Sequence, residues 1–238
     1  MPRKARNLQV GEIYHVMNRG VEKRNIYLRN QDYCRFILGL EFFNRENIHT
    51  DLWKIIGGIG ADPTSVRLLR ERQRVSDPLM ELMAFTLMPN HFHLIVREIV
   101  AGGTAEFMKR MGGYSTYFNS QHERVGSLFQ NRYKSVEIRT TEQAIATFVY
   151  VHTNHVALVE KGWGDFEVKN PKKALSFLND YRWSSYRDYV GEPRYPEVTD
   201  RSFYHKLIGG QQKCRELVEA WVRGKAGSAG GLADAALE

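Results

Sequence analysis

The chain has 238 residues, 42% of them hydrophobic and 26% charged, which is enough apolar material for a substantial core and is ordinary for a folded protein. Lysine and arginine number 34 against 27 acidic residues, a net charge of +7 that favours an anionic partner, nucleic acid first. Cys34 and Cys214 stand far apart with no Cys-x-x-Cys spacing, so neither a disulfide framework nor a thiolate zinc site is indicated. No apolar run approaches membrane-spanning length, and Met1-Pro2-Arg3-Lys4-Ala5-Arg6 lacks a signal-like apolar core, so the expectation is a soluble intracellular protein with no membrane partner.

In chain order, Ile13-Tyr14-His15-Val16-Met17 reads as a first strand closed by Asn18-Arg19-Gly20. A helix follows from about Asp32, with Tyr33, Phe36, Ile37, Leu40 and Phe43 at helical spacing and Cys34 as inert packing within it. Residues 45–79 are less regular: Gly57-Gly58-Ile59-Gly60 and Asp62-Pro63 are breakers, and the stretch from Arg67 to Arg74 is strongly basic. They read as an insertion, helical around residues 66–72. Leu82-Met83-Ala84-Phe85-Thr86-Leu87 is a second strand, and Met88-Pro89-Asn90 supplies the turn of a hairpin whose second arm starts at His91. After Gly102-Gly103, Thr104 is placed to cap a helix carrying Phe107, Met108, Met111, Tyr114, Tyr117 and Phe118. Ser135-Val136-Glu137-Ile138 is a further strand, and Thr141 caps a helix running through Ile145, Phe148, Val149 and Val156. Strand, helix, strand, strand, helix, strand, helix is the ferredoxin-like βαββαβ order with one appended helix, an α+β fold on an antiparallel sheet.

Three stretches carry chemistry. Along a strand His91 and His93 leave on the same side, roughly 7 Å apart at Cα, and Phe92 leaves on the other. The alternation looks imperfect, with Phe92, Leu94 and Val96 not sharing one core face. Two such imidazoles can hold one divalent cation, or can be a hydrogen-bonded pair on a half-buried strand. Tyr150 and Asn154, four residues apart, share a helical face, although taken bare Tyr150 also reads as a boundary aromatic with its hydroxyl in water. His152 and His155 point elsewhere on that helix, as surface residues or as contacts to an anion. In Leu128-Phe129-Gln130-Asn131-Arg132-Tyr133-Lys134-Ser135, Arg132 and Lys134 bracket an aromatic able to stack on an unpaired base while the cations meet phosphates; the other reading is a polar strand edge.

These stretches, together with Tyr14-His15-Val16-Met17-Asn18-Arg19-Gly20 and Tyr181-Arg182-Trp183-Ser184-Ser185-Tyr186, occur in an order that resembles the single-tyrosine HUH transposases, and among them the REP-associated tyrosine transposases, over roughly residues 10–190. The resemblance implies Tyr150 as nucleophile and His91, His93 and Asn154 as ligands of Mg²⁺ or Mn²⁺. It implies cleavage and rejoining of single-stranded DNA at palindromic repeat hairpins through a 5′-phosphotyrosine bond, in the nucleoid of a prokaryotic cytoplasm. Arg19, Arg132, Tyr133 and Lys134 are the first DNA-binding candidates, with Lys109, Arg110, Arg124 and Arg139 as backbone contacts. Two departures stand out. His155 occupies a position where relatives often carry proline, so the helix is expected to run on, and the 45–79 insertion exceeds the usual connection.

The expected domains are a transposase unit over 1–190 and a C-terminal extension over 191–238, its last dozen residues disordered. Within that extension, residues 214–221 form an amphipathic helix able to pack over the core or gate the site. A monomer is the expected state, with a homodimer as the alternative. Two other classes of function remain open: a hairpin-binding protein that has lost turnover, and a His-based metal-dependent phosphodiesterase in which Tyr150 is structural.

Overall fold

A computed structural model describes residues 8–46, 63–73, 76–163 and 168–224. Four strands, β1 (Ile13–Arg19), β2 (Met80–Met88), β3 (His91–Glu98) and β4 (Lys134–Ile138), form one sheet in the order β2-β3-β1-β4, with every neighbouring pair antiparallel. This is the sheet that a βαββαβ chain builds, and the hairpin turns at Pro89-Asn90 as the sequence predicts.

The sheet is covered on both faces. Tyr14 and Val16 of β1 and Phe92, Leu94 and Val96 of β3 share one core with Phe36 of α1 (Asn30–Phe42), and that core also takes in residues further along the chain. This corrects the reading of an imperfect alternation: the three β3 residues face one core because the strand keeps its two-residue period throughout. α2 (Pro63–Gln73) matches the helix expected around 66–72, and the Arg70 guanidinium grips the buried Glu41 carboxylate of α1, one bond being 2.9 Å. The breaker stretch 57–60 lies outside the described residues. The predicted helix after Gly102 is two helices, α3 (Gly103–Met111) and α4 (Gly113–Gln121), and both feed the first core through Phe107, Tyr114 and Phe118. Thr104 does not cap α3. Gly102, at φ 78, holds the cap position, and the Thr104 hydroxyl donates to the Glu98 carboxylate.

The opposite face carries Ile95, covered by Phe148, Val149 and Val151 of α5 (Thr141–Thr153). The cap of α5 is Thr140, one residue ahead of the predicted Thr141, its hydroxyl accepting from the Gln143 N–H. After Thr153 the chain tightens into a 3₁₀ turn, Asn154–Leu158, so it stays helical past His155 but not as α-helix. Behind α5 lie α6 (Pro171–Asp180), α7 (Tyr186–Tyr189), α8 (Ser202–Ile208) and α9 (Gln211–Gly224). α9 buries Cys214, Val218 and Val222 in the core that holds Phe148, so the amphipathic segment is packing, and its residues do not line the cleft described below. The predicted disorder after Ala226 falls outside the described residues.

The Tyr181-to-Tyr186 stretch has a structural task. The Leu87 N–H donates to the Trp183 carbonyl at 2.8 Å, the Ser185 N–H to the Phe85 carbonyl at 3.0 Å, and the Phe85 N–H to Ser185 Oγ at 2.9 Å. These bonds close the outer edge of β2 and remove an unpaired strand that would otherwise invite association. Phe92 is buried and packs its ring against Phe36 and Phe129. Phe92→Ala is expected to destabilise the fold by about 3–5 kcal/mol in urea denaturation, and a loss under about 1 kcal/mol would show that the core collapses into the gap.

Candidate active site

Strand register brings the candidate residues together. Arg19 pairs with His91 and Met17 with His93 across β1 and β3, while Met17 pairs with Lys134 across β1 and β4. Alternation then sends Arg19, His91, His93 and Lys134 to one face. Gly20 lets β1 end there: a Cβ at this position would lie 2.3 Å from the Arg24 carbonyl, and its N–H is held by the Asn90 carbonyl at 2.9 Å. α5 crosses the same face and sets the Tyr150 ring edge-on to His93, with centroids 5.3 Å apart, and 5.8 Å from His15. Asn154, the C-cap of α5, gives its backbone N–H to the Tyr150 carbonyl, and its side-chain amide favours the charged forms of both His91 and Tyr150. His91, His93, Tyr150, Arg19, Arg132 and Lys134 line one cleft of about 300 Å³.

The histidines are held in defined orientations. His91 Nδ1 lies 2.6 Å from Asn90 Oδ1, so Nδ1 carries the proton and Nε2 keeps its lone pair. His93 Nδ1 lies 2.8 Å from His15 Nε2, and the two rings stack at 5.0 Å. Burial, with the Arg19 cation adding to it, lowers His91 to about 4. Burial, followed by the neighbouring His15 and His91, pushes His93 well below the usual imidazole range. Both rings are therefore neutral at pH 7 and able to donate electron pairs. Burial raises the Tyr150 phenol, against the opposing pull of the Asn154 hydrogen bond and Arg19, so the resting side chain is neutral.

Among the described residues no group of three His, Cys, Asp or Glu side chains is placed to hold a metal. The set expected from the sequence has two imidazoles and one amide. His93 Nε2 is buried and has no hydrogen-bond partner among the described residues, which leaves a lone pair for an external acceptor. With Nε2 of His91 and the Asn154 amide beside it, this donor set fits a small divalent cation.

Sequence reasoning missed the contact made by His15. Only the pairing of β1 beside β3 reveals that it backs His93. His152 and His155 correct the expectation of surface or anion-binding residues. Both are buried, His152 Nε2 lying 2.9 Å from Ser185 Oγ and His155 stacking on Tyr181 at 4.2 Å. Of the backbone-contact candidates, Arg110 reaches the Phe43 carbonyl at 3.1 Å, Arg139 pairs with Glu137, Lys109 with Glu106, and Arg124 bonds Asn119. Arg19, Arg132 and Lys134 are exposed, and Tyr133 is half-buried.

A scan against family models finds no match for this chain, and a search of curated protein sequences finds none. Among solved structures, one of a REP-associated tyrosine transposase bound to a REP hairpin is similar at 16% identity and a TM-score of 0.44, covering 84% of this chain and 93% of that one. At that TM-score the likeness carries no weight for the site, whose reading rests on this chain's own residues. Among the described residues no helix is long and apolar enough to cross a membrane.

Proposed function

We propose that this protein is a DNA strand transferase that cuts and rejoins single-stranded DNA beside palindromic hairpins, with Tyr150 as nucleophile. One observation carries the reading: the Tyr150 phenol, its ring edge-on to His93, and the His91–His93 pair open into one cleft rimmed by Arg19, Arg132 and Lys134. A half-buried aromatic with no chemical task has no need of that company. The hairpin substrate comes from the ordered sequence motifs.

Tyr150 Oη attacks the phosphorus of a backbone phosphate. The new bond is Oη–P, the bond broken is P–O3′, and the phenolic proton is balanced by the one the departing 3′-oxygen takes up, leaving a free 3′-hydroxyl. Arg19 draws the scissile phosphate in and favours the phenolate as it forms. Arg132 and Lys134 hold flanking phosphates, and Tyr133 offers a stacking face. His91, His93 and Asn154 would hold a divalent cation, Mg²⁺ or Mn²⁺, which would supply charge neutralisation to the phosphate. Reverse attack by a 3′-hydroxyl restores the backbone without ATP. Because Tyr150 meets the histidines of its own chain, a single copy holds the full set; we take a monomer and a catalytic unit of residues 1–190, in a prokaryotic cytoplasm.

The test is incubation of end-labelled hairpin DNA with the protein and Mn²⁺, resolved on a denaturing gel. A protein-linked fragment is the expected result. Free cleavage without linkage would assign a hydrolytic phosphodiesterase, and binding without cleavage a retired hairpin binder; either overturns the proposal. His15 should orient His93 by accepting its Nδ1 proton. His15→Leu is expected to weaken Mn²⁺ binding about 10–100-fold in calorimetry, while His15→Gln, which keeps an acceptor, retains most of it. Equal Mn²⁺ affinity in native protein and His15→Leu would remove His15 from this role.

A further inference from the structure

On the opposite face of the sheet from the histidines lies a second cavity, of about 610 Å³, within the range of small-ligand sites. Its walls are apolar and largely aromatic: Phe36, Phe92, Phe129, Tyr133 and Met108. Its mouth is polar, and Asn18, Asn131 and Arg132 line both this cavity and the histidine cleft. The ridge between the two is fixed. Asn18 Nδ2 donates to the Asn131 carbonyl at 3.1 Å, and Asn18 Oδ1 accepts the Arg19 N–H at 2.9 Å, tying the end of β1 to the loop that leads into β4. Arg132 is exposed and forms no ion pair with a described residue.

We infer that this cavity receives an unpaired nucleobase of the strand whose phosphate lies in the histidine cleft. The inference rests on the strand-transfer reading and adds to it the means by which the strand is gripped. A base has two apolar faces and a polar edge, and it hangs from a phosphate. Phe129 and Met108 suit the faces, the exposed Asn131 amide supplies a donor and an acceptor at the mouth, and Arg132 stands where a linking phosphate must cross the ridge. An apolar peptide or a lipid tail would match the walls but gain nothing from the cation or from the continuity with the phosphate cleft. A grip of this kind tolerates any base, since every base has a π-face. It would fix the strand's position relative to Tyr150 without demanding a sequence at that nucleotide.

The test compares two probes of equal charge: an eleven-nucleotide oligothymidylate (length about one site, ~11) and a strand of the same length made of abasic residues. Native protein is expected to bind the oligothymidylate about tenfold more tightly. Ala105 lines the cavity and is itself exposed, so Ala105→Trp should fill the space without touching the cleft. In that variant the oligothymidylate is expected to fall to about the level of the abasic strand, while the abasic strand keeps its native affinity and so reports an intact fold. Should Ala105→Trp weaken both probes, Phe129→Leu decides: it keeps the apolar volume, removes one stacking face, and is expected to cost about threefold for the oligothymidylate alone. Equal binding of the two probes by native protein, or unchanged base preference in both variants, overturns the inference. If a Tyr150–DNA adduct still forms, that failure leaves strand transfer standing. Absence of binding to either probe likewise overturns the inference, and loss of the Tyr150–DNA adduct on hairpin DNA is what overturns strand transfer.

Discussion

Tyr150→Phe is expected to lower formation of the protein–DNA adduct by more than about 10³-fold and to leave hairpin affinity within about twofold of native. The substitution removes one oxygen and keeps the ring, so the edge-on contact with His93 and the fold around α5 persist. The cations proposed to hold the strand, Arg19, Arg132 and Lys134, are untouched. Adduct yield on a denaturing gel, read beside affinity in a filter-binding titration, separates the two effects. Persistent linkage in the variant would move the nucleophile elsewhere. A parallel fall in affinity would instead make the phenol a DNA contact.

A second large effect is expected from acid. His152 and His155 are wholly buried, and burial lowers each from about 6.5 to about 3. Above pH 6.5 both are neutral whether the chain is folded or not, and neither affects stability. As the pH falls from 6.5 towards 3, the unfolded chain binds protons that the folded chain refuses, so stability is lost in that window. At pH 4 each ring should cost on the order of 3 kcal/mol, a large share of the roughly 5–15 kcal/mol that holds an ordinary domain together. Urea denaturation at pH 7, 5.5 and 4.5 should show a steep decline, shallower in His155→Gln. A flat profile between pH 7 and 4.5 would mean that these rings take up protons without unfolding.

Much of this architecture was legible from residue spacing. The two-residue period places His91 and His93 side by side, the four-residue step places Tyr150 over Asn154, and the breaker at Pro89-Asn90 marks the hairpin. Short-range chemistry misled at the helix starts, where Thr104 and Thr141 looked like caps. Glu98, six residues before Thr104, claims its hydroxyl, and Thr140 reaches Gln143 first. Long-range pairing hid the rest. The contact between His15 and His93 spans 78 residues, and nothing in either segment announces it. Likewise His152 and His155 are buried by the Tyr181-to-Tyr186 stretch returning along β2, a closure invisible in the helix that carries them.

The end of α5 is tethered from several directions: Asn154 bonds back to residue 150, His155 is sandwiched against Tyr181, and Val156 is sealed in the core. A phenol mounted on so fixed a support has little freedom to swing. Under the proposed reaction, a strand bonded to it would stay moored beside the sheet, and the incoming terminus would have to travel to that berth. Choreography of joining would then belong to the nucleic acid, whose own looping decides which ends meet.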